Sequence, residues 1–149
     1  MNLRPVSNYV VPGGLRNGSV VWVSGEPTLA NNNYILRFKV SEDSLRQDIG
    51  LRIRVFFYTA THIDVQVSAK HNGTVVGTKW CVQNVAFNAH SRFTVLVFVN
   101  AHRYDIFFNN DFFCSFDHFT TEPENVVNFD STWGVVIHEF GIQGPDEVV

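Results

Sequence analysis

Phe107-Phe108-Asn109-Asn110-Asp111-Phe112-Phe113-Cys114-Ser115-Phe116-Asp117-His118-Phe119 (FFNNDFFCSFDHF) sets two aromatic runs on either side of a polar triplet. Asn and Asp tolerate the backbone dihedrals of tight turns, so Asn109-Asn110-Asp111 predicts a chain reversal. The flanks, Arg103 to Phe108 (RYDIFF) and Phe112 to Phe116, then read as the two arms of a hairpin. Its phenylalanines are expected to fill a core between two sheets. Upstream, Phe93 to Val99 (FTVLVFV) is apolar at nearly every position and predicts a mid-sheet strand covered on both faces. Asn100-Ala101-His102 connects it tightly to the hairpin.

The same strand signals extend along the chain. Gly50 to Tyr58 (GLRIRVFFY) alternates cleanly, with Leu51, Ile53, Val55 and Phe57 on one face and Arg52, Arg54 and Phe56 on the other. His62 to Ser68 sets Ile63, Val65 and Val67 opposite Asp64, Gln66 and Ser68. Ser19 to Ser24, Tyr34 to Val40, Thr74 to Val82 and Trp133 to Phe140 complete the set. The one helix-like cluster, Ser41 to Gln47, is short and polar and lacks an apolar face. Short strands separated by turn residues predict an all-β antiparallel sandwich or barrel.

Composition narrows the class. The 149 residues fit one domain over 1–149, with an ordered core about 8–143 and short polar tails. Aromatic content is 14% and charged residues 17%, which argues for a packed domain rather than a disordered tail. A net charge of −3 gives no general nucleic-acid footprint, and no apolar run reaches a membrane span, so no membrane insertion is expected. The N-terminus lacks the apolar stretch of a signal peptide, which points to a cytoplasmic or non-classically secreted chain. Cys81 and Cys114 read as reduced thiols, buried or half-buried. Asn17-Gly18-Ser19 and Asn72-Gly73-Thr74 match the glycosylation sequon and read as turns.

Several motifs together resemble the galectins, the β-galactoside-binding lectins. The opening hairpin lines up without a gap with the family's hairpin, Asn109 and His118 matching and Phe119 replacing an Arg. Val11-Pro12-Gly13-Gly14-Leu15 is similar to the family's Leu-Pro-Gly-Gly opening, and Gly18 to Gly25 to its next strand and turn. Ala86-Phe87 with Arg92-Phe93-Thr94-Val95 resembles the Pro-Phe…Pro-Phe-x-Ile segment. The likeness runs from roughly Val11 to Ile142. It implies a galectin-like jelly-roll β-sandwich of two antiparallel sheets, about five and six strands, with sugar held on the concave sheet, no cofactor and no enzymatic activity.

The resemblance also implies a rebuilt site. Galectins hold galactosides through His-x-Asn-x-Arg on one strand, an Asn on the next and Trp-x-x-Glu-x-Arg on a third. Those positions fall on Arg52, Arg54 and Phe56; on Ser68 or Ala69; and on Val76, Lys79 and Cys81, with Trp80 nearby as a substitute stacking ring. The candidate ligand-binding set is therefore Arg52, Arg54, Asp64, Gln66, Ser68, Lys79 and Trp80. Unpaired buried polar groups cost about 1–3 kcal/mol each, so ordinary lactose binding is expected to be weak or absent. Guanidinium forks suit carboxylate or sulfate, which makes an acidic glycan the expected ligand. Two other readings stand beside it: cross-strand neutralisation by Asp64 in a merely solvated patch, and a protein-interaction module that recognises an acidic protein surface. A homodimer through terminal strands is a further expectation. His138-Glu139 and Asp117-His118 sit in or beside strands, and the remaining His residues (62, 71, 90, 102) form no metal-spaced set, so neither catalysis nor a metal site is expected.

Overall fold

A computed structural model describes residues 8–28, 32–40, 48–85, 88–118, 122–132 and 134–145, with backbone alone at 83 and 84. Among the described residues eleven strands run in chain order: β1 (Asn8–Val10), β2 (Val20–Pro27), β3 (Asn33–Lys39), β4 (Ile49–Thr59), β5 (His62–His71), β6 (Thr74–Asn84), β7 (Phe93–Val99), β8 (Arg103–Phe108), β9 (Asp111–Asp117), β10 (Asn128–Ser131) and β11 (Val135–Gln143). They form a six-stranded sheet, β1-β10-β3-β4-β5-β6, and a five-stranded sheet, β11-β2-β7-β8-β9. Every pairing is antiparallel. Ser41 to Gln47 and Trp133 lie outside the described residues.

The alternation read from the sequence is what builds the interlayer. Leu51, Ile53 and Val55 of β4 and Ile63, Val65 and Val67 of β5 are buried, as are Val95 and Val97 of β7 and Tyr104, Ile106 and Phe108 of β8. Tyr34 of one sheet stacks on Phe93 of the other, with centroids 5.1 Å apart and planes 9° from parallel. One margin of the sandwich is closed by rings: Phe140 of β11 stacks on both Tyr9 of β1 and Phe129 of β10, each with centroids 4.9 Å apart. At the other margin β6 and β9 approach each other.

The hairpin that opened the sequence reading forms, with two corrections. The reversal needs only Asn109 (φ 46°) and Asn110 (φ 73°), and Asp111 already pairs with Phe108 as the first residue of β9. The phenylalanines also divide between two faces. Phe108, Phe113 and Phe116 are buried, whereas Phe107 is half-buried and Phe112 is 55% exposed. The cause is a bulge in β9: Ile106 pairs with Cys114 but Phe107 pairs with Phe112, so Phe113 is the extra residue and points inward beside Cys114. Strand β7 departs from expectation as well. It lies mid-sheet between β2 and β8, but its outer face is not covered, and Phe98 is exposed there.

Two glycines beside β1 separate strain from space. Gly13 and Gly14 both have positive φ, 75° and 77°. A Cβ on Gly13 meets nothing within 4 Å, whereas one on Gly14 would lie 1.9 Å from the Glu124 carbonyl oxygen. Gly13→Ala is therefore expected to cost about 1 kcal/mol from the left-handed backbone alone. Gly14→Ala adds a clash with backbone and is expected to cost about 3 kcal/mol or more. Urea midpoints at unchanged slope measure both losses.

Candidate functional site

The outer face of the six-stranded sheet carries the candidate residues other than Lys79 in cross-strand rows. In one row Asn8, Asp130, Arg37, Arg52 and Ser68 are successive partners across β1, β10, β3, β4 and β5. In the next, Ile35, Arg54, Gln66 and Trp80 are partners across β3, β4, β5 and β6. A third contains Asn33, Phe56, Asp64 and Val82. Rows two residues apart on a strand are separated by about 6.6 Å, so the groups form a continuous surface.

Arg52 is held in place. Its Nη1 donates to Gln66 Oε1 at 3.2 Å and to Ser68 Oγ at 3.5 Å. Burial pushes its pKa below the ordinary arginine value, and the neighbouring Arg54 and Arg37 push it the same way. Arg54 lies with its guanidinium carbon 4.7 Å from the centre of the Phe56 ring, and its Nε is buried without a hydrogen-bond partner. Phe56 in turn stacks with Trp80 (5.8 Å, 29°) and with Tyr58 (6.3 Å, 8°). Trp80 is 53% exposed, so its ring remains available to a ligand.

The counter-charge is not where the sequence placed it. One of the readings had Asp64 neutralise an arginine; it pairs with His62 at 2.8 Å and sits opposite Phe56. The carboxylate that balances this face is Asp130, whose oxygens take Arg37 Nε at 2.6 Å, Arg37 Nη2 at 2.9 Å and Lys39 Nζ at 2.7 Å. No sequence signal singled out Asp130, because β10 is too short to show a pattern.

Lys79 also requires correction. It pairs with buried Val67, and Cys81 with buried Val65, so both lie on the inner side of β6 rather than with Arg52 and Arg54. Lys79 Nζ donates to the Ser115 carbonyl of β9 at 2.9 Å. A bulge at Gly77 (φ 65°) sets this phase and turns Trp80 outward. The structure thus brings together Arg52, Arg54, Asp64, Gln66, Ser68 and Trp80 and leaves Lys79 apart. His118 packs edge-on against Tyr104 at 4.5 Å, and His138 Nε2 lies 3.1 Å from Glu26 Oε1. Among the described residues, no three His, Cys, Asp or Glu side chains cluster as metal ligands would.

Two antiparallel sheets in this order, with a polar outer face on the six-stranded one, define a jelly-roll lectin domain of the galectin type. Residues 6–142 match the galactoside-binding lectin family model, and the chain belongs to that family. Its members are lectins, not enzymes. Among solved structures the chain is similar to sheep galectin-11 in complex with glycerol, with TM-score 0.78 and 17% identity, covering 95% of this chain and 100% of that one. It is also similar to a human galectin-16 variant, with TM-score 0.76 and 15% identity, covering 92% and 94% respectively. Curated proteins give no match by sequence.

The buried Asp130 yields a test of the face's charge balance. Removing it leaves Arg37 and Lys39 without their shared partner beside Arg52. Asp130→Ala is expected to cost about 3 kcal/mol, because a partly buried cation pair loses its compensation. Chemical denaturation of the variant measures the loss.

Proposed function

We propose that this galectin-family carbohydrate-binding domain takes acidic glycans on the outer face of β4, β5 and β6, and binds neutral lactose weakly or not at all. The carrying observation is Arg54: a guanidinium laid over Phe56, in the row with Gln66 and Trp80, with a desolvated Nε that meets no acceptor. The side chain as a whole is half-buried, so a sulfate or carboxylate on this face pairs with the guanidinium through its outer nitrogens. Where the family resemblance calls for imidazole and amide to receive galactose hydroxyls, this chain carries Arg52 and Arg54. Neutral hydroxyls gain less from such a pair than an anion does.

The neighbouring groups support the same reading. Arg37, Lys39, Arg52 and Arg54 outnumber Asp130 and Asp64 on this face, so the local field is positive although the whole chain is not. Burial and, after it, repulsion from Arg54 and Arg37 disfavour the charge on Arg52, and an incoming anion offsets both. Trp80, stacked on Phe56, offers its free face to the apolar side of a sugar ring. Gln66 and Ser68 hold Arg52 and remain within the same polar row system.

Calorimetry against lactose, a sulfated galactoside and a sialylated galactoside tests the assignment. The anionic ligands are expected to bind, and to bind more weakly as salt rises. Arg52→Ala combined with Arg54→Ala is expected to lower affinity at least about tenfold, since each charged hydrogen bond contributes roughly 1.5–3 kcal/mol. Lactose binding as tight as that of the sulfated sugar, or anion binding untouched by the double substitution, would overturn the proposal. Capture of an acidic protein surface with no glycan bound would instead favour an interaction module on the same face.

A further inference from the structure

The margin opposite the aromatic stack holds chemistry that sugar binding does not use. Cys81 lies on β6 of the six-stranded sheet and Cys114 on β9 of the five-stranded sheet. Both face the interlayer, Cys81 opposite buried Val65 and Cys114 opposite buried Ile106. Both orientations depend on bulges, at Gly77 in β6 and at Phe113 in β9, that bring the sulfurs to the same gap from opposite sheets. Both thiols are free and border the same gap. They line a cleft of about 330 Å³ whose rim carries exposed Trp80, Val82 and Phe112. Cys81 is half-buried on the cleft side, while Cys114 is buried behind it.

We propose that Cys81 and Cys114 form a thiol modification site that reacts with small anionic disulfides of the glutathione type and closes to an inter-sheet disulfide clamping β6 to β9. Cys81 is the attacking sulfur, because it is the more accessible of the two. The hydrogen bond from Cys114 lowers its pKa, burial opposes this, and the nearby Lys79 ammonium adds to the lowering. Cys114 is shifted upward, first by that hydrogen bond and then by burial, so it remains protonated until the second step.

The exchange balances as follows. Cys81 thiolate attacks one sulfur of glutathione disulfide, the S–S bond breaks, and one glutathione thiolate leaves. That thiolate takes the Cys114 proton. Cys114 Sγ then attacks Cys81 Sγ, the mixed disulfide breaks, and the second glutathione leaves and takes up a proton from water. Two protein thiols are oxidised to one disulfide, and one glutathione disulfide is reduced to two thiols. The product joins the sheets at the margin opposite the Tyr9, Phe140 and Phe129 stack, next to Trp80. The inference is independent of which glycan the face takes.

The full chain is incubated with glutathione disulfide and then mapped with trypsin without reduction, alongside Cys114→Ser and Cys81→Ser. In the parent, fragments 80–92 and 104–149 are expected to be linked within one chain. Both maleimide-reactive thiols should be lost, the melting temperature should rise by roughly 5–10 °C, and dithiothreitol should reverse all of this. Cys114→Ser should retain one glutathione on Cys81, and Cys81→Ser should take none. Two free thiols after oxidation, a stable glutathione adduct on the parent, or a link between two chains would overturn the proposal. The parent map decides the question even if a variant fails to fold.

Discussion

Side chains alternate across a strand at every residue, and the sealed interlayer leaves only one phase available. With Leu51, Ile53 and Val55 shut between the sheets, Arg52, Arg54 and Phe56 must stand on the outer face. A one-residue slip of β4 would bury two guanidinium groups among aliphatic side chains, at a cost of several kcal/mol each. The same logic fixes Asp64, Gln66 and Ser68 on β5. The candidate site is therefore the outer side of the core's own pattern, and the hydrophobic effect positions it before any ligand contributes.

That pattern explains what could be read from the sequence. Strands β4 and β5 are long and strictly alternating, so their outward residues were identified correctly from the sequence alone. Strands β1 and β10 have three and four residues and no period to detect; they exist because they pair with each other and with β3. Asp130, the anion that balances the face, was hidden with them. Lys79 fell on the inner side and Trp80 stayed outward because a bulge adds one residue to the count, and Gly77 inside an otherwise regular strand was the available cue. Phe112 and Phe113 divided for the same reason in β9, where no glycine gave warning. Apolar density alone could not distinguish the inner face of the five-stranded sheet from its outer one, so Phe98 and Phe107 were assigned to a core they only border.

The two margins of the sandwich are held by different chemistry. Tyr9, Phe129 and Phe140 close one by ring stacking, which is insensitive to solution conditions. The other relies on a lysine-to-carbonyl hydrogen bond and a pair of thiols. Trp80 lies on that second margin and also contributes to the candidate face, so the margin held by thiols and one lysine is also the side nearest an exposed stacking ring.

The bulges have a consequence beyond turning individual side chains. The four strands that end the sheets are β1, β6, β9 and β11. The first has three residues, and each of the others is interrupted by an extra residue, at Gly77, at Phe113 and between Ile137 and Glu139. None offers the long straight row of unpaired amides on which fibrils grow. At each sheet edge an approaching strand meets an irregular border rather than a row of charges.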